Sequence, residues 1–165
     1  MIRGDKLVEL MFLPMTDKKV VEMIDTIGLD QPVIDEKYLM NFYVNAGNFK
    51  KVGVGFRFEE IDGYTKDGEP CLMKISLNAA REIKLPFNID IKDNYKVCCE
   101  KLGKKSDYFS DLINGIRMWI MEPINGIEYS LNILFRDDEL NDIKSIIIVS
   151  FNRSNIGNTV LENKD

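Results

Sequence analysis

The sequence contains no histidine among its 165 residues. Histidine is the most frequent general base and metal ligand, so its absence excludes Ser-His and Cys-His nucleophiles and histidine metal centres. Cysteine is scarce too: Cys98 and Cys99 are adjacent, and Cys71 is distant. Adjacent cysteines in a helix point in different directions and cannot complete a tetrahedral site with one further thiol. We therefore expect reduced, largely buried thiols, no metal and no cofactor.

The chain also lacks an excess of positive charge and any long apolar run. Its formal net charge is −5 and its pI is near 4.9, whereas nucleic-acid binders need a basic footprint. Apolar runs such as residues 146–149 are far shorter than the ~20 residues of a membrane-spanning helix. The N-terminal segment, with Asp5 and Glu9 among its apolar residues, is not typical of a signal peptide. These features predict one cytoplasmic domain over residues 1–165, without direct nucleic-acid or membrane contacts.

Carboxylates are the remaining candidates for acid–base chemistry, since glycosidase-like catalysis needs only two of them. Two acidic runs could supply such a pair: Glu59, Glu60 and Asp62, or Asp137, Asp138 and Glu139. Both runs lie at predicted strand ends or turns, where charge is typical of solvated surface. Gly53 and Gly55 are no dinucleotide-binding fingerprint, because the third glycine and the following helix are missing. We therefore expect a protein that is not an enzyme.

Helical spacing of apolar residues, together with capping residues and terminal glycines, predicts two short helices. The first spans residues 17–27, capped by Thr16 and ended by Gly28. The second extends from a cap at Asp93 to residue 102 and is ended by Gly103. Trp119 lies in an apolar strand pattern, which favours a core position over a binding anchor.

Alternation predicts strands at 38–44, 51–60, 71–77, 116–122, 127–135 and 143–150. Residues 45–48 and Asn125-Gly126 are the predicted hairpin turns. The fold class is α+β, with a mainly antiparallel sheet of about six strands and two short helices. The order of elements fits either tandem α-β-β-β halves or a single α+β domain with similar halves. Residues 152–165 are predicted to form a frayed polar tail.

The stretch KKVGVGFRFEE, residues 50–60, carries unusual glycines for a strand. Its apolar residues fall on one face, and Gly53, Gly55, Arg57 and Glu59 fall on the other. Glycine weakens a strand, so its use suggests that another backbone or a helix comes close. Either a partner strand or one of the protein's own helices could fill that space.

Acidic residues gather in two predicted turns and give the chain its candidate partner-binding sites. With the glycine strand, the set is Gly53, Gly55, Arg57, Glu59, Glu60, Asp62, Asp137, Asp138, Glu139 and Asp142. Asp67 and Glu69 add to the first turn. Acidic loops of this kind attract a basic protein surface.

Four segments carry a resemblance to a known class of protein: FLPMTDKKVVEMIDTIGL, DGEPCLMKISL, LPFNIDIKDNYKVCCEKLGKKSDYF and IEYSLNILFRDDELNDIKSIIIVSF. Together they resemble immunity proteins of bacterial contact-dependent growth inhibition and related polymorphic toxin systems. The likeness extends from about residue 12 to 151 and transfers no residue position by position. It implies a small, cytosolic, non-catalytic protein that binds a cognate toxin domain, commonly a nuclease, and blocks its active site or substrate surface.

The sequence therefore predicts a toxin-neutralising protein that uses acidic turns and an accessible sheet edge. Two other classes stay open. A carboxylate-dependent enzyme or small-ligand carrier would use the concave sheet face and lose function in Glu60→Gln or Asp138→Asn. A structural subunit would self-associate without any toxin.

Overall fold

A computed structural model describes residues 1–35, 43–60, 65, 69–110, 112–151 and 159–161. The helices are α1 (Gly4–Val8), α2 (Lys18–Ile27) and α3 (Tyr95–Leu102). The strands are β1 (Ile2–Arg3), β2 (Val33–Asp35), β3 (Tyr43–Gly47), β4 (Val54–Glu59), β5 (Cys71–Asn78), β6 (Ile83–Lys84), β7 (Tyr108–Ser110), β8 (Ile116–Ile124), β9 (Ile127–Phe135), β10 (Ile143–Ser150) and β11 (Thr159–Leu161).

Within the described ranges, the main sheet has nine strands in the order β11-β7-β8-β9-β10-β5-β4-β3-β2. It is built from two antiparallel meanders, β2 to β5 and β7 to β10, whose last strands β5 and β10 pair with each other. A separate parallel pair joins β1 to β6. The α+β class and the mainly antiparallel sheet are confirmed, but about six strands was too few. Each meander follows a helix, α2 or α3, and contains four strands where three were predicted.

Both longer helices end where their glycines predict but are capped by other residues. Gly28 and Gly103 adopt left-handed conformations at the C-termini of α2 and α3. Asp17 caps α2 by accepting a hydrogen bond from the Lys19 N–H at 2.8 Å, and Asn94 caps α3 by accepting one from the Val97 N–H at 3.0 Å. The predicted caps, Thr16 and Asp93, each lie one residue before the observed cap.

Replacing Asp17 with Ala should therefore cost about 1 kcal/mol of unfolding free energy, the usual effect of losing an N-cap. Thr16→Ala should cost less than about 0.5 kcal/mol, because its hydroxyl makes only an exposed hydrogen bond to the Glu69 carboxylate. Urea unfolding of the two variants gives the comparison. Equal losses, or a larger loss for Thr16→Ala, would contradict the assignment of the cap.

One predicted hairpin turn is confirmed and the other is wrong. Asn125 and Gly126 both have positive φ, 51° and 79°, as the turn between β8 and β9 requires. Residues 45–47, in contrast, belong to β3, and the chain reverses over residues 48–53. The predicted strand 51–60 is thus shortened to β4, and most of the predicted strand 38–44 lies outside the described residues.

Alternation divides the sheet into a buried face and a partly exposed one. In β4, residues 54, 56 and 58 are buried while 55, 57 and 59 are half-buried. The buried face, which includes the fully buried Trp119, forms one hydrophobic cluster with buried residues of all three helices. We call the other side the open face. Its described residues include Asn45, Gly47, Gly55, Arg57, Lys74, Ser76, Asn132, Ser145 and Ile147.

The cysteines are shielded from water, and part of the C-terminal segment is paired in the sheet. Cys71 and Cys98 are buried and Cys99 is half-buried, as predicted, and burial raises the pKa of the Cys98 thiol to about 12. Thr159–Leu161 forms β11 on the edge strand β7, so this part of the predicted frayed tail is paired. In the described part of the chain, every helix is too short or too polar to cross a membrane.

Candidate binding surface on the open face

The two acidic groups predicted to act together lie at opposite ends of the sheet. Strands β4 and β10 run in the same direction, because each is antiparallel to β5. Glu59 is the last residue of β4 and Glu60 follows it, whereas the acidic turn, residues 136–142, precedes β10. Leu77 pairs with both Val54 and Ile146, so about nine strand residues, or about 30 Å at ~3.3 Å per residue, separate Glu59 from Asp142. Asp62 and Asp67 lie outside the described residues.

Within the acidic turn, two of the four carboxylates already have a partner. Asp137 accepts a hydrogen bond from the Asn141 N–H at 2.9 Å and shapes the turn. Asp142 forms an ion pair with Lys92 at 3.1 Å. Asp138 and Glu139 are exposed, and they form no hydrogen bond or ion pair with any other described residue. The turn therefore offers two carboxylates to a partner, fewer than its sequence suggests.

Gly53 does not lie on the open face, contrary to the sequence prediction. It precedes β4, is buried, and has a φ of +85°. A Cβ atom there would lie 2.5 Å from Cγ of Arg81 and 2.8 Å from its Cβ. The Arg81 guanidinium donates a hydrogen bond to the Lys50 carbonyl and so holds its aliphatic stem across the turn. A contact within the protein therefore explains this glycine.

Gly55 lies on the open face and has a different surrounding. It is the register partner of Gly47 on β3, and a Cβ there would meet only the Phe49 ring, at 3.9 Å. Because neither glycine has a side chain, the strand backbone beside that ring is uncovered. Of the two neighbours expected from the sequence, one of the protein's own helices is not found within 4 Å of this position in the described residues.

A cavity of about 570 Å³ lies over the uncovered backbone of Gly47 and Gly55. It is lined by Asn45, Ala46, Gly47, Phe49, Gly55, Phe56, Arg57, Lys74, Ser76, Ser145, Ile146 and Ile147. Phe49, which is 40% exposed, stands at the glycine end. The other end carries two cationic side chains, Arg57 and Lys74. The cavity volume is within the range of small-molecule binding sites.

Arg57 and Lys74 are directly opposite each other on neighbouring strands. Like charges in this position destabilise a sheet. Glu59 compensates in part, because one of its carboxylate oxygens lies 3.9 Å from a guanidinium nitrogen of Arg57. The Lys74 ammonium forms no hydrogen bond or ion pair with the described residues. The centre of the open face therefore carries net positive charge in a protein that is acidic overall.

Burial changes the ionisation of both neighbours of Arg57. Burial lowers the pKa of Lys74 below its ordinary value, and the nearby Arg57 charge lowers it further. Burial raises the pKa of the Glu59 carboxyl, and the attraction of Arg57 opposes this rise. Both shifts disfavour the charged form, which is the signature of charges held away from water.

A β-bulge lies next to this pair. Arg57 pairs with Lys74, but the next residue of β4, Phe58, pairs with Leu72, so Met73 is the extra residue on β5. The bulge keeps Leu72 and Ile75 on the buried face while Lys74 faces the cavity. Bulges are frequent beside binding sites because they re-aim side chains.

Sequence reasoning identified Gly55, Arg57 and Glu59 but missed Lys74. A single lysine in the strand CLMKISL does not by itself indicate a binding site. Lys74 becomes a candidate because the strand register places it opposite Arg57. In the described residues, no group of three or more Cys, Asp and Glu could hold a metal ion.

Comparison with known proteins gave no match to a family model, to a curated protein or to a solved structure. The fold and the open face are therefore the observations from which a function has to be argued.

Proposed function

We propose that this chain is an immunity protein, which binds a cognate bacterial toxin domain and neutralises it by covering its active site or substrate surface. The observation that carries the proposal is the open face. A broad sheet surface has its core-forming side chains on the other side, and its half-buried polar and apolar residues surround a cavity. Such a mixed, concave surface is suited to protein contacts that exclude water.

The acidic turn supports a basic partner, a nuclease in the simplest case. Asp138 and Glu139 lie at the end of the sheet from which β10 starts, and Ser145 of the cavity follows a few residues later. A nuclease carries positive charge for its phosphate substrate, and exposed carboxylates can occupy that surface by the same attraction. Glu59 is engaged with Arg57, so the far end of the sheet contributes less to this attraction.

The partner proposed is the product of the gene that neighbours this one. Mixing the two purified proteins should give a tight 1:1 complex on size-exclusion chromatography, and co-expression should restore growth to cells that the toxin inhibits. Asp138→Asn combined with Glu139→Gln should slow association and reduce its salt dependence, because charges at the rim act mainly on the association rate. The matched control is Glu22→Gln combined with Asp30→Asn, which removes the same charge at exposed positions in and after α2.

A neighbouring product that is not toxic, or no complex between the two proteins, would refute the proposed function. A complex whose association rate is equally insensitive to both sets of variants would refute the role of the acidic turn. Stable self-association of the isolated chain would favour a structural subunit instead.

A further inference from the structure

The cavity on the open face has one cationic end and one apolar end. Arg57 and Lys74 are the only ionisable side chains among its described lining residues. Ser76, Ser145 and Asn45 offer hydrogen-bonding groups around them. At the other end, the bare backbone of Gly47 and Gly55 lies beside the Phe49 ring. This arrangement matches a ligand with a charged head and an apolar body.

The charges of the site indicate the valence of that ligand. Arg57 already forms an ion pair with Glu59 at 3.9 Å. Lys74 is half-buried and has no counter-charge among the described residues. A partly buried charge is stabilised by an opposite charge that also accepts hydrogen bonds. A single negative charge completes this balance, whereas a dianionic phosphate would exceed it.

The size of the cavity argues for a small molecule rather than for one side chain of a partner. A volume of about 570 Å³ is several times what a single carboxylate group occupies. It is typical of cavities that enclose whole small ligands. The like-charged pair weakens the sheet at this place, and it lies on the open face, away from the buried core.

We propose that this cavity binds a small organic monocarboxylate, with its carboxylate between Arg57 and Lys74 and its apolar body over Gly47 and Gly55 beside Phe49. This activity goes beyond toxin neutralisation, although it uses the same open face. Binding supplies the missing negative charge and covers the exposed aromatic ring.

An NMR titration of the isolated full chain tests the proposal with three probes. They are 4-phenylbutyrate, its neutral analogue 4-phenylbutanamide, and inorganic phosphate. We expect saturable shifts in β4 and β5 resonances around Lys74 with 4-phenylbutyrate. The amide should bind roughly tenfold more weakly or worse, because it loses the charge-assisted hydrogen bonds. The pKa of Lys74 should rise when the carboxylate binds.

Three variants separate the site from general effects. Lys74→Gln should weaken 4-phenylbutyrate binding roughly tenfold or more, and it should fold, because it removes a like-charged pair. Gly55→Val should also weaken binding by filling the apolar end with a residue that strands favour. Lys96→Gln, at an exposed position on α3, should bind as the wild type does. Thermal unfolding of each variant confirms that it is folded.

Equal binding of the acid and the amide would overturn the proposal, as would stronger binding of phosphate. The absence of saturable shifts at millimolar 4-phenylbutyrate would also overturn it. Equal losses of 4-phenylbutyrate affinity in Lys74→Gln and Lys96→Gln would overturn it as well. None of these results depends on a toxin, so they are distinct from a failure of the proposed function.

Discussion

Replacing Gly53 with Ala should lower the unfolding free energy by about 2–5 kcal/mol, although the change adds only one methyl group. A left-handed backbone costs a residue with a Cβ roughly 1–2 kcal/mol, and Gly53 has a φ of +85°. Overpacking adds about 1–3 kcal/mol, because the new methyl group would lie 2.5 Å from Cγ of Arg81. Chemical denaturation measures the loss directly.

Gly55→Ala is the matched control, two residues away in the same sequence pattern. Its backbone is in the ordinary strand region, and its new methyl group would meet only the Phe49 ring at 3.9 Å. It should leave stability unchanged or raise it by about 0.5–1 kcal/mol, since alanine loses less backbone entropy on folding. Equal effects of the two substitutions would contradict the different roles assigned to these glycines.

Trp119→Ala should lower the unfolding free energy by about 3–5 kcal/mol, the range for truncation of a buried large aromatic residue. The indole is fully buried, and its ring centroid lies 5.9 Å from that of Tyr95 on α3. Its N–H donates a hydrogen bond to the Lys104 carbonyl at 3.1 Å. The side chain therefore joins β8 to α3 and to the segment that follows this helix.

Trp119→Phe separates packing from this hydrogen bond. Phenylalanine keeps most of the apolar surface but removes the donor to the Lys104 carbonyl, so we expect a loss of about 1–2 kcal/mol. Urea unfolding of both variants gives the comparison. A loss below about 1 kcal/mol for Trp119→Ala would contradict a core role and revive the alternative of a binding anchor.

Local sequence signals predicted the elements whose causes are local. Gly28 and Gly103 end their helices because glycine readily adopts the left-handed conformation found at both positions. Asn125-Gly126 makes a tight turn for the same reason. Strand β10 carries apolar residues on both faces, which is typical of a central strand, and it is the middle strand of the nine described.

Elements whose causes lie far away in sequence could not be predicted. Strands β2, β7 and β11 have three residues each, too few for a periodic pattern, and they exist because a neighbouring edge pairs with them. Gly53 looked like a strand residue because the Arg81 stem that covers it comes from a later segment. The bulge at Met73 likewise depends on the pairing of β4 with β5.

The charge distribution on the open face differs from the one that the sequence suggested. The sequence suggested one negative surface, whereas the structure places positive charge at the centre of the open face and separates the two acidic groups. The register of β4 against β5 brings Arg57 and Lys74 together, and this register cannot be predicted from the residues near either position. A partner that fits this face would offer negative or neutral groups to the cavity and positive groups to Asp138 and Glu139.

Calorimetric titration of two tyrosine variants with the toxin proposed as partner tests most directly whether the open face binds it. Ser76→Tyr places a ring at the centre of the open face, where the opposite residue Gly55 leaves room for it. Lys96→Tyr places the same side chain at an exposed position on α3. We predict that Lys96→Tyr binds as tightly as the wild type and that Ser76→Tyr binds roughly 30-fold more weakly or worse. Wild-type affinity in Ser76→Tyr would contradict the assignment of the open face.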